Sequence, residues 1–306
     1  MEKYLTLLYY KYVRIDDAEM FAAQHLKFCR AIGLKGRILI SEEGINGSVS
    51  GTETQCQTYM DTMHADARFS DLWFKIEEVS EPSFGKMHCR YRPNVLAFGE
   101  PGDRIDPNKT TGKYLEPEEF LAMKDQPDVV VLDTRNVIEW EVGKFNNAVT
   151  LNIEHFRDLP DHIQEIEQYK DKKILAYCTG GIRCEKATAF LLEQGFKDVY
   201  QLHGGILNYA QKVGGKDFDG KMYVFDNRIV TTVNTVNPKA ISHCHICHTL
   251  TEHIINCANP ECNLHAPICD KCCEEYEGAC STACKEHPRK REYNGKGYYV
   301  RTGAQL

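Results

Sequence analysis

The stretch of this sequence best built for chemistry is Cys178-Thr179-Gly180-Gly181-Ile182-Arg183. An apolar run of strand length, Ile174 to Tyr177, ends at the cysteine, and Ala187, Phe190, Leu191 and Gly195 then follow the spacing and stop signal of an amphipathic helix. The thiol therefore stands where a tight glycine turn leads into a helix. Backbone N–H groups of Thr179 to Arg183 have no intrahelical partner there and can converge on whatever sits at the sulfur. The helix dipole and the Arg183 guanidinium both favour thiolate over thiol. Cys178 is expected to titrate below the ordinary value of about 8.5 and to be a nucleophile at neutral pH. The competing reading is a small inert core cysteine, which a strand, Gly-Gly loop and helix arranged as an anion cradle argues against. Cys184, in the first helical turn, either resolves an oxidised Cys178 or simply packs.

A second group of thiols has different spacing. Of fourteen cysteines, nine crowd into residues 244–284 as Cys244-x2-Cys247, Cys257-x4-Cys262, Cys269-x2-Cys272 with Cys273 adjacent, and Cys280-x3-Cys284. Paired thiols at knuckle spacing suit tetrahedral zinc, and a segment so poor in apolar residues needs metal to fold. Up to two structural zinc ions are expected. If the pairs interleave, Cys244, Cys247, Cys269 and Cys272 hold one ion and Cys257, Cys262, Cys280 and Cys284 the other. Cys273 and the histidines at 243, 245, 248 and 265 are possible substitutes.

Two basic stripes complete the inventory. In Phe84 to Phe98, Lys86, His88, Arg90 and Arg92 alternate with Met87, Cys89 and Tyr91, so an extended chain places the four basic groups on one face. That is either an edge strand protected from aggregation or a phosphate-contacting stripe. After the cysteine cluster, Lys285, Arg289, Lys290, Arg291, Lys296 and Arg301 are interleaved with Tyr293, Tyr298 and Tyr299. Charge plus aromatic faces suits single-stranded RNA, although a solvated tail has the same composition.

The elements that must position these groups read as three parts. Residues 1–98 show a strand at 4–13, Asp16 and Asp17 as N-caps, and a helix with Met20, Phe21, Phe28, Cys29 and Ile32 on one face. A strand at Arg37–Ile40, a turn over 42–47, a strand at Ser48–Ser50, a helix capped by Thr52 with Cys56, Tyr59, Met60 and Met63 inward, and a strand at Trp73–Val79 follow. The order β-α-β-β-α-β predicts a ferredoxin-like α+β domain. Residues 99–113 have the composition of a linker. Residues 114–220 alternate strand and helix and predict a parallel α/β domain, whose chemistry belongs outside the carboxyl ends of its strands. Asp133 and Arg135 at one such end either support the cysteine loop or cap the local turn. Residues 221–306 hold one returning strand over Met222–Val233, the cysteine cluster and the basic tail.

Composition sets the outer bounds. The chain of 306 residues carries net charge −7, so nucleic-acid contact must come from local stripes. No apolar run reaches the roughly twenty residues of a membrane span, and the N-terminus lacks a signal-peptide pattern. A cytoplasmic protein is expected. No flavin, haem or nucleotide motif is visible.

The Cys178–Arg183 loop, after Asp133-Thr134-Arg135 and Glu139-Trp140-Glu141-Val142-Gly143, resembles a rhodanese active-site loop, which in that family cradles a cysteine persulfide. Phosphatases on related folds carry one more residue before the arginine, a position occupied here by Cys184. With Gly36-Arg37-Ile38-Leu39-Ile40-Ser41-Glu42-Glu43-Gly44-Ile45-Asn46-Gly47 near the N-terminus and the cysteine-rich tail, the chain resembles the bacterial tRNA uridine(34) hydroxylase family over essentially its full length. The resemblance implies a rhodanese domain and oxygen-dependent conversion of the wobble uridine of tRNA to 5-hydroxyuridine. It also implies molecular oxygen as co-substrate and Cys178 as the essential cysteine. On this reading the anticodon loop of tRNA lies across the basic stripes. A thiosulfate-type persulfide sulfurtransferase and a non-catalytic RNA-binding scaffold are the alternatives.

Overall fold

The computed structural model describes residues 3–295 and 297. The N-terminal part is β1 (Tyr4–Tyr12), α1 (Ala18–Ala31), β2 (Lys35–Ser41), β3 (Gly44–Thr52), α2 (Glu53–Ala65), β4 (Lys75–Val79) and β5 (Met87–Tyr91). Its sheet runs β4-β1-β3-β2-β5, the ferredoxin-like arrangement with β5 added parallel to β2 at the edge. Both helices cover one face. Cys56, Tyr59, Met60 and Met63 of α2 are buried there as expected, beside Leu7, Tyr9, Ile38 and Val49, and Thr52 closes a capping box with Gln55.

Three local readings need correction. Met20 is exposed, and the inward place on α1 goes to His25, whose ring nitrogen meets Tyr59 Oη at 2.9 Å and whose pKa burial lowers to about 4. Asp17 makes no side-chain cap; its carboxylate receives Arg68 Nη1 at 3.0 Å. The expected turn over 42–47 shrinks to Glu42-Glu43, because Gly44 to Gly47 are already paired with Tyr12 to Tyr9 of β1. Glycines that look like turn formers are there for close approach. A Cβ on Gly44 would lie 2.1 Å from the Lys11 carbonyl oxygen.

The segment 99–113 is no free tether. Phe98 and Ile105 are buried in the core of the following domain, and Gly112 N–H donates to Thr188 Oγ1 at 2.9 Å. The next domain comprises β6 (Lys113–Leu115), α3 (Pro117–Met123), β7 (Val129–Asp133), α4 (Val137–Val142), β8 (Gly143–Phe145), β9 (Val149–Thr150), 3-10 turns over Phe156–Tyr169, β10 (Lys173–Tyr177), α5 (Ile182–Glu193), β11 (Asp198–Leu202) and α6 (Gly205–Val213). Its parallel sheet has order β6-β11-β10-β7-β9, placing β10 and its cysteine at the centre. One apolar core lies on each sheet face.

The chain then forms β12 (Phe218–Gly220), antiparallel to β8, and a hairpin of β13 (Met222–Tyr223) and β14 (Val230–Thr231), followed by β15 (Ile254–Asn256), β16 (His265–Pro267), α7 (Asp270–Glu275) and α8 (Thr282–Lys285). The single strand expected over Met222–Val233 is thus broken. Asp226 binds the Arg228 backbone N–H at 3.0 Å and its guanidinium at 2.6 Å, which turns the chain back. Among the described residues no helix is long and apolar enough to cross a membrane.

Candidate active site

α5 is buried along almost its whole length, charged residues included. Its polar groups are met from both domains. Glu185 accepts from Tyr10 Oη at 2.8 Å and Tyr114 Oη at 2.9 Å, and Lys186 pairs with Glu43 at 2.9 Å. The face of the N-terminal sheet opposite its helices is therefore docked onto the start of α5. Leu8 and Tyr10 of β1 roof the cysteine loop. Only glycine allows this: a Cβ on Gly180 would meet Leu8 Cδ2 at 2.6 Å, and one on Gly181, whose φ is +105°, would meet Tyr10 Oη at 2.8 Å.

Beneath that roof Cys178 is fully buried. Cys178 is not open to solvent but lines a cavity of about 260 Å³ with Leu8, Tyr10, Asn46, Arg183 and Phe225. Gly181 N–H donates to Cys178 Sγ at 3.1 Å. Burial alone would raise this thiol, but hydrogen bonds from the Cys184 thiol, the Arg183 charge and the N–H groups of Cys184 and Gly181 outweigh it and bring Cys178 down to about 5. The Cys184 thiol is pushed up, by its burial and then by its donation to Cys178, so it remains a donor. Packing and hydrogen bonding thus both involve Cys184.

Thr179, Gly180 and Ile182 line the same cavity. The loop is tied from below by Ile206 N–H, which donates to the Cys178 carbonyl at 3.0 Å, and Leu207 N–H, which donates to that of Thr179 at 3.2 Å.

Arg183 is held by a residue to which the sequence reading gave no role. Its Nη1 and Nη2 donate to the two oxygens of Glu139 at 2.5 and 2.7 Å, and Nη2 also reaches Thr179 Oγ1 at 3.1 Å. Burial would raise the Glu139 carboxyl, but the Arg183 and Arg135 charges and the Asn136 N–H keep it below the carboxylate range. The signal that could have found Glu139 is the capping box it forms with Asn136 at the start of α4.

Asp133 and Arg135 do not touch the cysteine loop. Arg135 Nε and Nη2 donate to Asp133 at 2.9 and 2.6 Å, Arg135 N–H donates to the same carboxylate at 3.0 Å, and Nη2 also reaches the Gly143 carbonyl at 2.6 Å. Asp133 thus organises its own strand end, the turn-capping alternative. Its one link towards the loop is Tyr177 Oη, which donates at 2.5 Å.

The basic stripes fare differently. Lys86, His88, Arg90 and Arg92 are exposed while Met87 and Cys89 are buried, and β5 is an edge strand. Across the sheet, Leu8 stands opposite Ser48, Ser48 opposite Arg37, and Arg37 opposite His88. Tyr10, Asn46, Leu39 and Arg90 form the next such row. Paired residues share a face, so Arg37, His88 and Arg90 continue the surface that roofs Cys178. Burial and then the charges of Arg90, Arg37, Lys86 and Arg30 lower the His88 pKa, a mark of how dense the positive field is. In the tail, by contrast, Arg289 is paired with Glu261 and Lys290 with Glu277, and Arg291 Nη2 donates to the Cys257 carbonyl at 2.5 Å. These three cations are engaged by the cysteine module itself. Lys296, Tyr298, Tyr299 and Arg301 lie outside the described residues.

The cysteine cluster folds into two sets, Cys244, Cys247, Cys269 and Cys272, and Cys257, Cys262, Cys280 and Cys284, each with its sulfurs within 4.8 Å of one another. Both sets could hold a metal ion. The sulfur separations fit the donor chemistry: Cys247–Cys269 is 3.6 Å and Cys262–Cys280 and Cys280–Cys284 are 3.7 Å, against about 3.8 Å for the edge of a tetrahedron with zinc–sulfur bonds of about 2.3 Å. Cys273 stands apart, its thiol donating to the Ile268 carbonyl at 3.3 Å.

Three family models match successive stretches of the chain. The UPF0176 acylphosphatase-like domain family matches residues 4–95, the rhodanese-like domain family residues 116–212 and the rhodanese C-terminal family residues 219–285. A tRNA uridine(34) hydroxylase of Cytophaga hutchinsonii is 53% identical over 299 residues, covering 98% of this chain and 95% of the relative. Proteins of the same name from Streptococcus pyogenes serotype M6 and Streptococcus agalactiae serotype III are each 46% identical over 303 residues, covering 97% of this chain and 92% of theirs. Matched over nearly its whole length by relatives of that name, this chain belongs to the tRNA uridine(34) hydroxylase family.

Proposed function

We propose that this chain hydroxylates uridine 34 of tRNA to 5-hydroxyuridine and that Cys178 is the group on which the reaction depends. The observation that carries the reading is the shared surface. The sheet face that roofs the Cys178 cavity continues into exposed Arg37, His88 and Arg90, so phosphates held by those cations bring a splayed base towards the cavity. The anticodon loop lies across that face, and the paired cations Arg289, Lys290 and Arg291 contribute little to it.

Within the site, the Gly181 N–H, the Cys184 thiol and Arg183 hold negative charge at Cys178 Sγ or at a sulfur attached to it. Glu139 fixes the Arg183 guanidinium, Thr179, Gly180 and Ile182 shape the cradle, and Leu8 and Tyr10 exclude bulk water. Molecular oxygen is the co-substrate of this oxidation. Zinc, one ion in each four-sulfur set, is structural, since every ligand position is filled by protein. Many free thiols and a tRNA substrate support a cytoplasmic site for the reaction.

Nucleoside analysis of tRNA from cells carrying Cys178→Ser is the test. Loss of the 5-hydroxyuridine-derived pool is expected, and an unchanged pool overturns the assignment. The anion cradle also suits sulfur transfer. Turnover of thiosulfate in the absence of tRNA, with the tRNA nucleoside unchanged, would establish that reading instead.

A further inference from the structure

At the opposite edge of the sheet from His88, the row Leu8–Ser48–Arg37–His88 begins with Lys75 of β4, which stands opposite Leu8. Lys75 is 4% exposed. Its ammonium has no carboxylate, carbonyl or hydroxyl partner among the described residues; its neighbours are the ring faces of Trp73 at 4.3 Å and Tyr10 at 5.0 Å. A buried, unpaired cation is costly, and lysines so placed are rare. Burial lowers its pKa to about 8, while the charges of Cys178 and Glu185 raise it, so it remains protonated at neutral pH.

Lys75 lines a cavity of about 300 Å³ together with Tyr10, Trp73, Tyr114 and His203. Tyr10 also borders the Cys178 cavity, so the two spaces flank one side chain. Trp73 and Tyr114 are 40% and 51% exposed, and the His203 ring bridges them at centroid distances of 5.0 and 5.4 Å. A cation with no hydrogen-bonded counter-ion, balanced only at longer range by Cys178 and by Glu185 of the same cavity, beside half-exposed aromatic rings is the chemistry that takes a nucleotide: a phosphate on the ammonium and a base on the rings.

We propose that this cavity is a subsite for a nucleotide of the RNA substrate adjoining the target uridine, with its phosphodiester on Lys75 and its base against Trp73, His203 and Tyr114. The inference rests on the tRNA reading above. It adds a second base pocket beyond the cysteine loop, so the strand crosses the sheet face from the Arg37–His88–Arg90 edge to the β4 edge.

The test uses the full chain with an anticodon stem-loop RNA containing uridine 34, comparing wild type with Lys75→Met, Lys75→Arg and Trp73→Ala. Lys75→Met is expected to raise the RNA Kd about tenfold and to reduce the slope of log K against log salt by about 0.7, the loss of one single-strand phosphate contact. Its Tm should be unchanged or higher, because the burial cost of a charge with no hydrogen-bonded partner exceeds what the more distant anions return and an apolar side chain of similar length removes that cost. Lys75→Arg should keep the slope, and Trp73→Ala should weaken binding without changing it. An unchanged Kd and slope for Lys75→Met, or a fall in Tm with no change in slope, overturns the proposal. Displacement of the RNA by millimolar inorganic phosphate would mark a free-anion site and overturn it as well. A wild-type chain that binds the RNA but leaves uridine 34 unmodified would defeat the hydroxylase reading, and the binding slopes would still decide the subsite.

Discussion

The Cys178 loop and the C-terminal cysteine sets use one residue type in opposite ways. At Cys178 a single sulfur is made anionic by a thiol, a guanidinium and backbone N–H groups, and stays available because those partners are donors and not a metal. In the C-terminal segment four sulfurs converge within 4.8 Å, an arrangement whose mutual repulsion as thiolates only a cation can relieve. The difference lies in what surrounds the thiol. A lone sulfur at a helix N-terminus is reactive; four together are ligands.

The contrast breaks most visibly on metal removal. Chelation should unfold residues 244–284 while the parallel sheet persists, since structural zinc supplies apparent binding free energies of about 10 kcal/mol or more. Elemental analysis should find about two zinc ions per chain, and Cys272→Ser should lose one. Circular dichroism with and without chelator checks the first, and Cys178→Ser should leave the metal content unaltered.

Glu139→Gln strikes the other region. It leaves Arg183 buried without its carboxylate, a cost of about 3–5 kcal/mol, read as a lowered denaturant midpoint with zinc content unchanged. A variant as stable as wild type would show that the Glu139–Arg183 pair is not what holds the loop.

The protonation of Cys178 sharpens the comparison further. The pKa is depressed, so the thiolate is present above about pH 5 and is lost as pH falls through that value. The stability it contributes is complete only above the ordinary thiol pKa of about 8.5 and declines as pH falls towards 5. The ultraviolet thiolate absorbance of wild type minus Cys178→Ser should titrate with that midpoint. Cys184→Ala should raise the midpoint by about one to two units through loss of one donor to a charged group, and Cys184→Ser, which keeps a donor, should restore most of it.

The smallest effect concerns the roof. Leu8→Ala removes the side chain seated on Gly180 and should admit small alkylating reagents to Cys178 more quickly, with about 1–2 kcal/mol or less of stability lost because Leu8 is only half-buried. Mass spectrometry of the modified peptide reads the rate.

What was legible in the chain was local. The strand, glycine turn and helix around Cys178 could be read because apolar periodicity and stop signals act within a dozen residues, and the CxxC pairs because two ligands of one ion lie on a single knuckle. Thr52 as a helix cap was legible for the same reason. The misreadings came where distant contacts override local preference. Residues 44–47 look like a turn yet form a strand, since β1 approaches Gly44 and Gly47 too closely for a side chain at either position. Met20 yields its place to His25, whose partner Tyr59 is thirty-four residues away.

The sequence by itself determined that an anionic cysteine stands at a helix start and that eight thiols come in four pairs, because those properties are set by neighbours along the backbone. Only the tertiary structure decided that Leu8 and Tyr10 close over that cysteine, that Glu139 holds Arg183, that Lys75 is buried with no hydrogen-bonded partner among the described residues, and which pairs of thiols meet. Each of those depends on residues brought together by burial across the chain, where sequence separation carries no distance information.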